Sequence, residues 1–289
     1  MEVREARAVA SRWVAAHAGA IPGFAGAFLS GSAIWLPAED ELPATSDVDV
    51  MVVAGDHPPP SKLGKLPYGG LLVEVSFLSW EQLGTREQVL GSYHLAGSFR
   101  TDTVLADPSG RLARLRSEVA GEWAAPCWVR RRCQDAERRI LAGLAWLDPA
   151  RLDPAQPSHD QVTTWLFATG VTTHVLLTAG LRNPTVRRRY LAVRQLLHDH
   201  GRPELYLELL RQLGCADLTK ARVERHLGAM TAAFDATAAI ARTPFPFAAD
   251  ITAAARPVAV DGSRELIARG DHREAVFWIV ATYARCLKL

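Results

Sequence analysis

The first quarter of the chain alternates between short apolar runs and turn-forming segments. The apolar runs are Phe24–Leu29, Val48–Val53 and Leu71–Leu78, and the segments between them include Pro58-Pro-Pro60 and Tyr68-Gly-Gly70. Apolar runs of this length bounded by proline and glycine are typical of β-strands. A fourth run at Thr103–Ala106 precedes the turn Asp107-Pro-Ser-Gly110 and predicts a further strand.

Helical periodicity frames these runs and takes over later in the chain. A stripe of apolar residues over 4–18 predicts a first amphipathic helix. Ser79 with Gln82 forms a capping-box pattern that predicts a helix toward Leu90, and a further helix is expected from Arg111 to about Trp123. Beyond Pro126 we expect helices over 127–147, 159–179, 185–200, 203–213, 218–242 and 272–287, with breaks that include Asp153-Pro and Pro244 to Pro246.

The change of period near Pro126 predicts two domains. We expect an α+β domain over residues 1–124, with a mixed sheet and flanking helices, and an all-helical domain over residues 125–289. A length of 289 residues with 48% apolar and 22% charged residues is typical of a soluble globular protein of this size.

The net charge and the cysteines further restrict the partners and the cellular compartment that we expect for the protein. A net charge of +2 is too small to indicate a nucleic-acid partner. The four cysteines form no CxxC pair, which is typical of reduced thiols in a cytoplasmic protein. We find no secretory signal at the N-terminus and no apolar stretch close to the ~20 residues of a membrane helix. These patterns predict a cytoplasmic protein without a membrane partner.

Three carboxylates interrupt the predicted strands. Asp47 and Asp49 alternate with valines in Ser46-Asp-Val-Asp-Val50, so a strand would place both side chains on one face. Glu74 interrupts the apolar run Leu71–Phe77 in the same way. Like charges so close together need a compensating cation, and carboxylate oxygens are ligands that Mg²⁺ prefers. The three residues therefore predict a divalent-metal site.

A small-residue turn ends the first predicted strand. Gly31 and Ser32 follow the run Phe28-Leu-Ser30, and a glycine there would let backbone amides approach phosphate groups closely. Two Mg²⁺ ions about 3.5–4 Å apart can clamp the attacking and leaving oxygens of a phosphoryl displacement. The combination predicts phosphoryl-transfer chemistry.

Taken in order, Gly31-Ser32, Asp47-x-Asp49 and the distant Glu74 resemble the motif of the nucleotidyltransferase superfamily that includes polymerase β and the antibiotic nucleotidyltransferases. The specific resemblance covers residues 24–78. It implies that Asp47 and Asp49 bind two Mg²⁺ ions, that Glu74 binds the catalytic one, and that Gly31 and Ser32 contact the nucleotide phosphates. It also implies that residues 125–289 recognise the acceptor.

By this resemblance the expected activity is transfer of a nucleoside monophosphate, with AMP favoured, from an NTP to an acceptor hydroxyl. The favoured acceptor is a small molecule such as an aminoglycoside-like antibiotic, whereas an RNA end or a protein hydroxyl stays open. The alternative is a nucleotidyltransferase-fold module that binds nucleotide or a partner protein with little or no turnover. The acidic insertion Leu36–Pro43 and the lack of a basic residue in Ala33-Ile-Trp35 favour that alternative.

Other polar residues give weaker signals. As general base we consider Asp102, Glu118, Glu122 and Glu137, each of which is more typical of a solvated carboxylate. The arginines of Arg182–Arg194 fit either an anion site, including nucleic acid, or the first turns of a solvated helix. No Walker A, HExxH, GxSxG or dinucleotide-binding motif occurs, so those enzyme classes have no support.

Overall fold

The computed structural model describes residues 1–55, 62–148, 156–242 and 247–289. The chain divides into two compact units, one comprising Met1–Arg131 with Phe245–Asp250 and the other comprising Arg132–Pro244 with Ile251–Leu289. The expected turn at Pro58–Pro60 and the expected breaks at Asp153-Pro and Pro244–Pro246 lie outside the described residues.

The first unit contains a mixed five-stranded sheet. Its strands are β1 (Phe24–Ser30), β2 (Asp47–Ala54), β3 (Gly64–Tyr68), β4 (Leu71–Leu78) and β5 (Val104–Ala106), in the order β3-β4-β2-β1-β5. β2 and β4 run parallel, and the other three neighbouring pairs are antiparallel. This sheet with its helices confirms the predicted α+β class.

The alternation of side chains along the strands divides the core of this unit into two layers. Helix α1 (Val3–His17) packs on one face of the sheet against the valines of β2 at even positions 48–52. The opposite face carries Phe28 and Val53 and packs against α2 (Trp80–Leu83), α3 (Arg86–Gly91) and α4 (Arg111–Ala120). Burial of both faces holds β2 at the centre of the unit.

The structure corrects two sequence predictions in this unit. The helix expected from Ser79 toward Leu90 is broken at Gly84, whose φ of 78° is left-handed, and Thr85 then caps a second short helix. Strand β3 was not predicted, because Lys65 and Pro67 interrupt its apolar pattern. A proline is tolerated there since β3 lies at the sheet edge.

From Pro126 onward every element in the described residues is helical. The helices are α5 (Pro126–Ala145), α6 (Ser158–Gly170), α7 (Thr172–Ala179), α8 (Arg189–Asp199), α9 (Glu204–Gln212), α10 (Lys220–Ile240), α11 (Gly262–Ala268) and α12 (His272–Lys288). Two clusters form the core of the second unit, one around Leu166, Tyr190 and Phe277 and one around Val223, Phe234 and Ile279.

Two helix predictions in this region need correction, and two further helical elements were not predicted. The helix expected over 159–179 is split at Val171, where the hydroxyls of Thr172 and Thr173 donate to the carbonyls of Thr169 and Gly170 and compete with the helical ladder. The helix expected from 185 begins at Arg189. Helix α11 and the π-helical turn Pro257–Asp261 before it were not predicted.

The sequence analysis also did not identify one membrane-length stretch. Within the described residues, Ser158–Ala179 spans 22 residues and is apolar enough, by length and composition, to cross a membrane. The core helix of a soluble protein meets the same criteria, and 44% of the most apolar window is buried. The stretch is therefore only a weak indication of a membrane span.

Candidate functional site

The pairing of three strands brings the predicted metal ligands together. In the parallel pair of β2 and β4, Asp49 lies opposite Glu74. In the antiparallel pair of β3 and β4, Lys65 lies opposite the same Glu74. Asp47 is two residues before Asp49 and therefore shares its face of the sheet. Strand register alone thus places three carboxylates and one lysine side by side.

Asp47, Asp49 and Glu74 form a compact carboxylate cluster, which we call the triad. One oxygen from each residue lies within 4.8 Å of the other two, which is a spacing that one metal ion can span. Glu74 is buried, whereas both aspartates are partly exposed. The structure therefore brings together all three residues that the sequence analysis proposed as metal ligands.

Two lysines from the edge strand and its approach enter the triad. The ammonium of Lys65 donates hydrogen bonds to Asp47 Oδ2 and Glu74 Oε2. Lys62 Nζ lies 2.6 Å from Glu74 Oε1, so both oxygens of Glu74 are bound by lysines. The Lys65 side chain is only 6% exposed. These contacts place positive charge inside the triad.

The carboxylates respond differently to these surroundings. Although the residue as a whole is partly exposed, the carboxyl of Asp49 is desolvated within the sheet, which raises its pKa well above its ordinary value, and the charges of Asp47 and Glu74 raise it further. Burial also disfavours the charged form of Glu74, but Lys65 and Lys62 outweigh it and lower its pKa to about 2. Burial of Lys65 opposes its charge, yet the neighbouring carboxylates raise its pKa above the ordinary value. Asp49 is therefore the member of the triad whose charge is least compensated.

A distant segment of the chain packs along β3. Lys62 Nζ lies 5.5 Å from the centre of the Phe247 ring. Gly64 faces the side chain of Ala249 so closely that a Cβ at residue 64 would overlap it. Asp250 Oδ1 lies 3.9 Å from Lys65 Nζ. Residues 247–250 thus flank the lysines of the site, which the sequence analysis did not foresee.

The turn after β1 lies directly against the triad. Gly31 has φ 64° and ψ −153°, a conformation that only glycine adopts readily. A Cβ at this position would overlap Asp49 Oδ2. Ser32 begins a short 3-10 turn over Ser32–Ile34. The geometry gives Gly31 a steric role beside Asp49, and its expected contact with phosphate stays a prediction.

Two arginines bind the segment that follows Ser32. Arg7 donates to the carbonyls of Ala33 and Leu36, with bonds of 2.7–3.0 Å. Arg100 donates to the Ile34 carbonyl at 2.7 Å, and its guanidinium carbon lies 3.9 Å from the centre of a Trp35 ring. Ala33-Ile-Trp35 itself contains no basic residue. The fold supplies positive charge to this segment from two other places in the chain.

The weaker candidates from the sequence occupy structural positions. Glu122 accepts a 2.8 Å hydrogen bond from Trp128 Nε1 and pairs with Arg86, while Asp102 is exposed. In the second unit, Arg194 pairs with Asp271 and Glu274 at 2.8 and 2.5 Å. Arg189 is buried among aromatic rings. These internal contacts disfavour a solvated arginine surface for nucleic acid.

A sequence signal for the missed lysines did exist. Only four lysines occur in the chain, and Lys62 and Lys65 stand three residues apart, shortly before the strand that carries Glu74. The register of an unpredicted strand could not be read from that spacing. The scarcity of lysine therefore makes these two positions unusual, but it does not indicate that the two lysines contact the triad.

Comparison with known proteins gave no relative. No protein-family profile matches the chain, and no curated protein sequence matches it. The functional assignment therefore depends on the residues of the site and their geometry.

Proposed function

We propose that the protein is a metal-dependent nucleotidyltransferase whose site is the triad of Asp47, Asp49 and Glu74. The observation that carries the proposal is the convergence of these three carboxylates, from two parallel strands, within 4.8 Å of one another and beside the Gly31-Ser32 turn. Lys62 and Lys65 compensate a part of this crowded negative charge, but burial and the charges of Asp47 and Glu74 still raise the pKa of Asp49. This residual cost to the fold favours a functional role for the triad.

The residues present fit a divalent metal ion. Every ligand atom that the triad offers is a carboxylate oxygen, which suits a hard cation such as Mg²⁺. Asp49 lies within the sheet with its charge poorly compensated, and a bound cation would relieve the repulsion that raises its pKa. Asp47, Asp49 and Glu74 would hold the metal, which supplies charge neutralisation at the phosphates.

The remaining chemistry follows from the residues around the triad. The turn at Gly31 and Ser32 would receive the triphosphate of an NTP, with its backbone close to the phosphate oxygens. An acceptor hydroxyl would attack the α-phosphorus, forming a new phosphate ester while the bond to pyrophosphate breaks. The hydroxyl proton would pass to solvent, and the chain would contribute position and charge compensation.

The acceptor is proposed as a small hydroxylated molecule and the donor as ATP, both by the resemblance to antibiotic nucleotidyltransferases. The second candidate is a module of the same fold that binds nucleotide or a partner protein without turnover. Its support is that lysines already occupy both oxygens of Glu74 and that the insertion residues Glu39, Asp40 and Glu41 are exposed acids near the motif.

Transfer of label from α-³²P-NTPs to a panel of hydroxylated acceptors, scored together with pyrophosphate release, tests the proposal. The wild-type protein should transfer label only with Mg²⁺, and Asp47→Asn or Asp49→Asn should reduce transfer about 10²–10³-fold or more. Asp217→Asn, at an exposed aspartate of the second unit, is the matched control and should retain activity. Equal transfer by the Asp47→Asn protein would refute the proposal. Mg²⁺-dependent nucleotide binding without transfer to any acceptor would support the second candidate.

A further inference from the structure

One of the two lysines of the site, Lys65, bridges two members of the triad. The Lys65 ammonium bridges Asp47 and Glu74, so it contacts two of the three triad residues at once. Its side chain is 6% exposed, which excludes most competing solvent. A divalent ion shared by Asp47 and Glu74 would need the same space.

The surroundings of Lys65 hold it in that place. Its backbone pairs with Glu74 across the β3–β4 ladder, so its Cα is fixed beside the triad. Asp250, which is not part of the triad, is buried and lies 3.9 Å from the ammonium on a segment that packs along β3. Three carboxylates, from Asp47, Glu74 and Asp250, and the pairing of β3 with β4 therefore hold this one lysine in place. A lysine that only filled an empty metal site would not need a carboxylate from outside the triad.

The two lysines compensate only a part of the triad. Lys65 pairs with Asp47 and Glu74, and Lys62 pairs with Glu74. Within the part of the chain that the structure describes, Asp49 forms no ion pair, so the uncompensated charge lies on the side of the triad away from Lys65.

We propose that Lys65 permanently supplies one of the two positive centres of the site, so that the protein takes up a single divalent ion, held by Asp47 and Asp49, in place of the pair that the sequence resemblance implies. This inference rests on the proposed function, because it concerns the same metal centre. In this inference Glu74 binds Lys65 and Lys62 and does not bind the divalent ion. It acts as a positioning residue that holds the Lys65 ammonium in place.

Counting bound Mn²⁺ on the full-length protein tests this inference. Mn²⁺ is titrated into the protein, and the free ion is measured by its electron paramagnetic resonance signal. The wild-type protein should bind one ion per chain. Lys65→Gln should open the place between Asp47 and Glu74 and bind two, while Lys65→Arg, which keeps a positive group, should bind one. Lys220→Gln, at an exposed lysine, is the matched control and should also bind one.

The outcomes separate this inference from the proposed function. Two ions on the wild-type protein, or one ion on a folded Lys65→Gln protein, would overturn the role of Lys65 and leave the metal centre intact. No binding by any variant would overturn the metal centre and with it the proposed function. The wild-type count decides between one and two ions even if circular dichroism shows that Lys65→Gln does not fold.

Discussion

Gly31 lies so close to Asp49 that the carboxylate of Asp49 occupies the space a side chain at residue 31 would need. Gly31 directly follows strand β1, and Asp49 lies in the neighbouring strand β2, where it pairs with Ser30. The Gly31-Ser32 turn therefore packs directly against the carboxylate of Asp49. The Gly-Ser motif and the Asp-x-Asp motif, which a long insertion separates in the sequence, form one structural element.

Gly31→Ala should destabilise the protein and disturb the triad. Its backbone conformation strains any residue with a Cβ, and the added methyl group would push Asp49 aside. We expect a loss of about 2–4 kcal/mol in the free energy of unfolding in urea. Gly110→Ala is the matched control: its φ of 73° is also left-handed, but open space surrounds it, so about 1 kcal/mol should be lost. Equal losses in both variants would show that Asp49 does not depend on Gly31.

Lys65→Met should lower stability in the absence of metal. The variant leaves Asp47 and Glu74 without the ammonium that bridges them, and breaking a buried ion pair on one side costs about 3–5 kcal/mol. Thermal unfolding should show a lower Tm, and added Mn²⁺ should raise the Tm of Lys65→Met more than that of the wild-type protein. An unchanged Tm without metal would show that the lysine contributes nothing to the triad.

Acid should remove a part of the stability that depends on Glu74. Its pKa is about 2 in the folded protein, below its ordinary value of 4.5, so its ionised form stabilises the fold above pH 4.5. That contribution is lost as the pH falls from about 4.5 to about 2. Urea unfolding should therefore show Glu74→Gln about 3 kcal/mol less stable than wild type at pH 7, with the difference vanishing near pH 2. Glu39→Gln, at an exposed acid, should show no such difference.

Asp49→Asn should stabilise the metal-free protein. Because burial and the two neighbouring carboxylates raise the pKa of Asp49, its charge opposes folding at neutral pH. We expect a gain of about 0.5–2 kcal/mol at pH 7, the usual range for a single stabilising substitution. The gain should shrink as the pH falls, since the wild-type carboxyl then takes up a proton. Destabilisation at pH 7, with Asp102→Asn unchanged as the exposed control, would contradict this account.

The strands that carry the triad were predictable because valines alternate with acids in β2 and apolar residues make up most of β4. The same patterns predict that Asp47, Asp49 and Glu74 lie on neighbouring strands. Lys65 was not predictable as their partner, because its strand contains a proline and lies at the sheet edge. Its position depends on register, which no local pattern specifies.

Long-range contacts explain the other omissions. Asp250 reaches Lys65 from a segment far along the chain, and Arg100 reaches the Ile34 carbonyl across 66 residues. Neither contact leaves a local sequence signal, because both arise from packing of elements already formed. The helix break at Val171 depends on threonine hydroxyls that donate hydrogen bonds to backbone carbonyls. The hydrophobic periodicity of the sequence does not reveal such bonds.

The most direct measurement of the central claim is anomalous X-ray scattering from crystals of the protein soaked in Mn²⁺. The account predicts a peak about 2.0–2.3 Å from carboxylate oxygens of Asp47 and Asp49. The peak should be absent from crystals of Asp49→Asn. An anomalous map without a peak at the triad, while Mn²⁺ is bound elsewhere on the protein, would contradict the assignment of these residues as a metal centre.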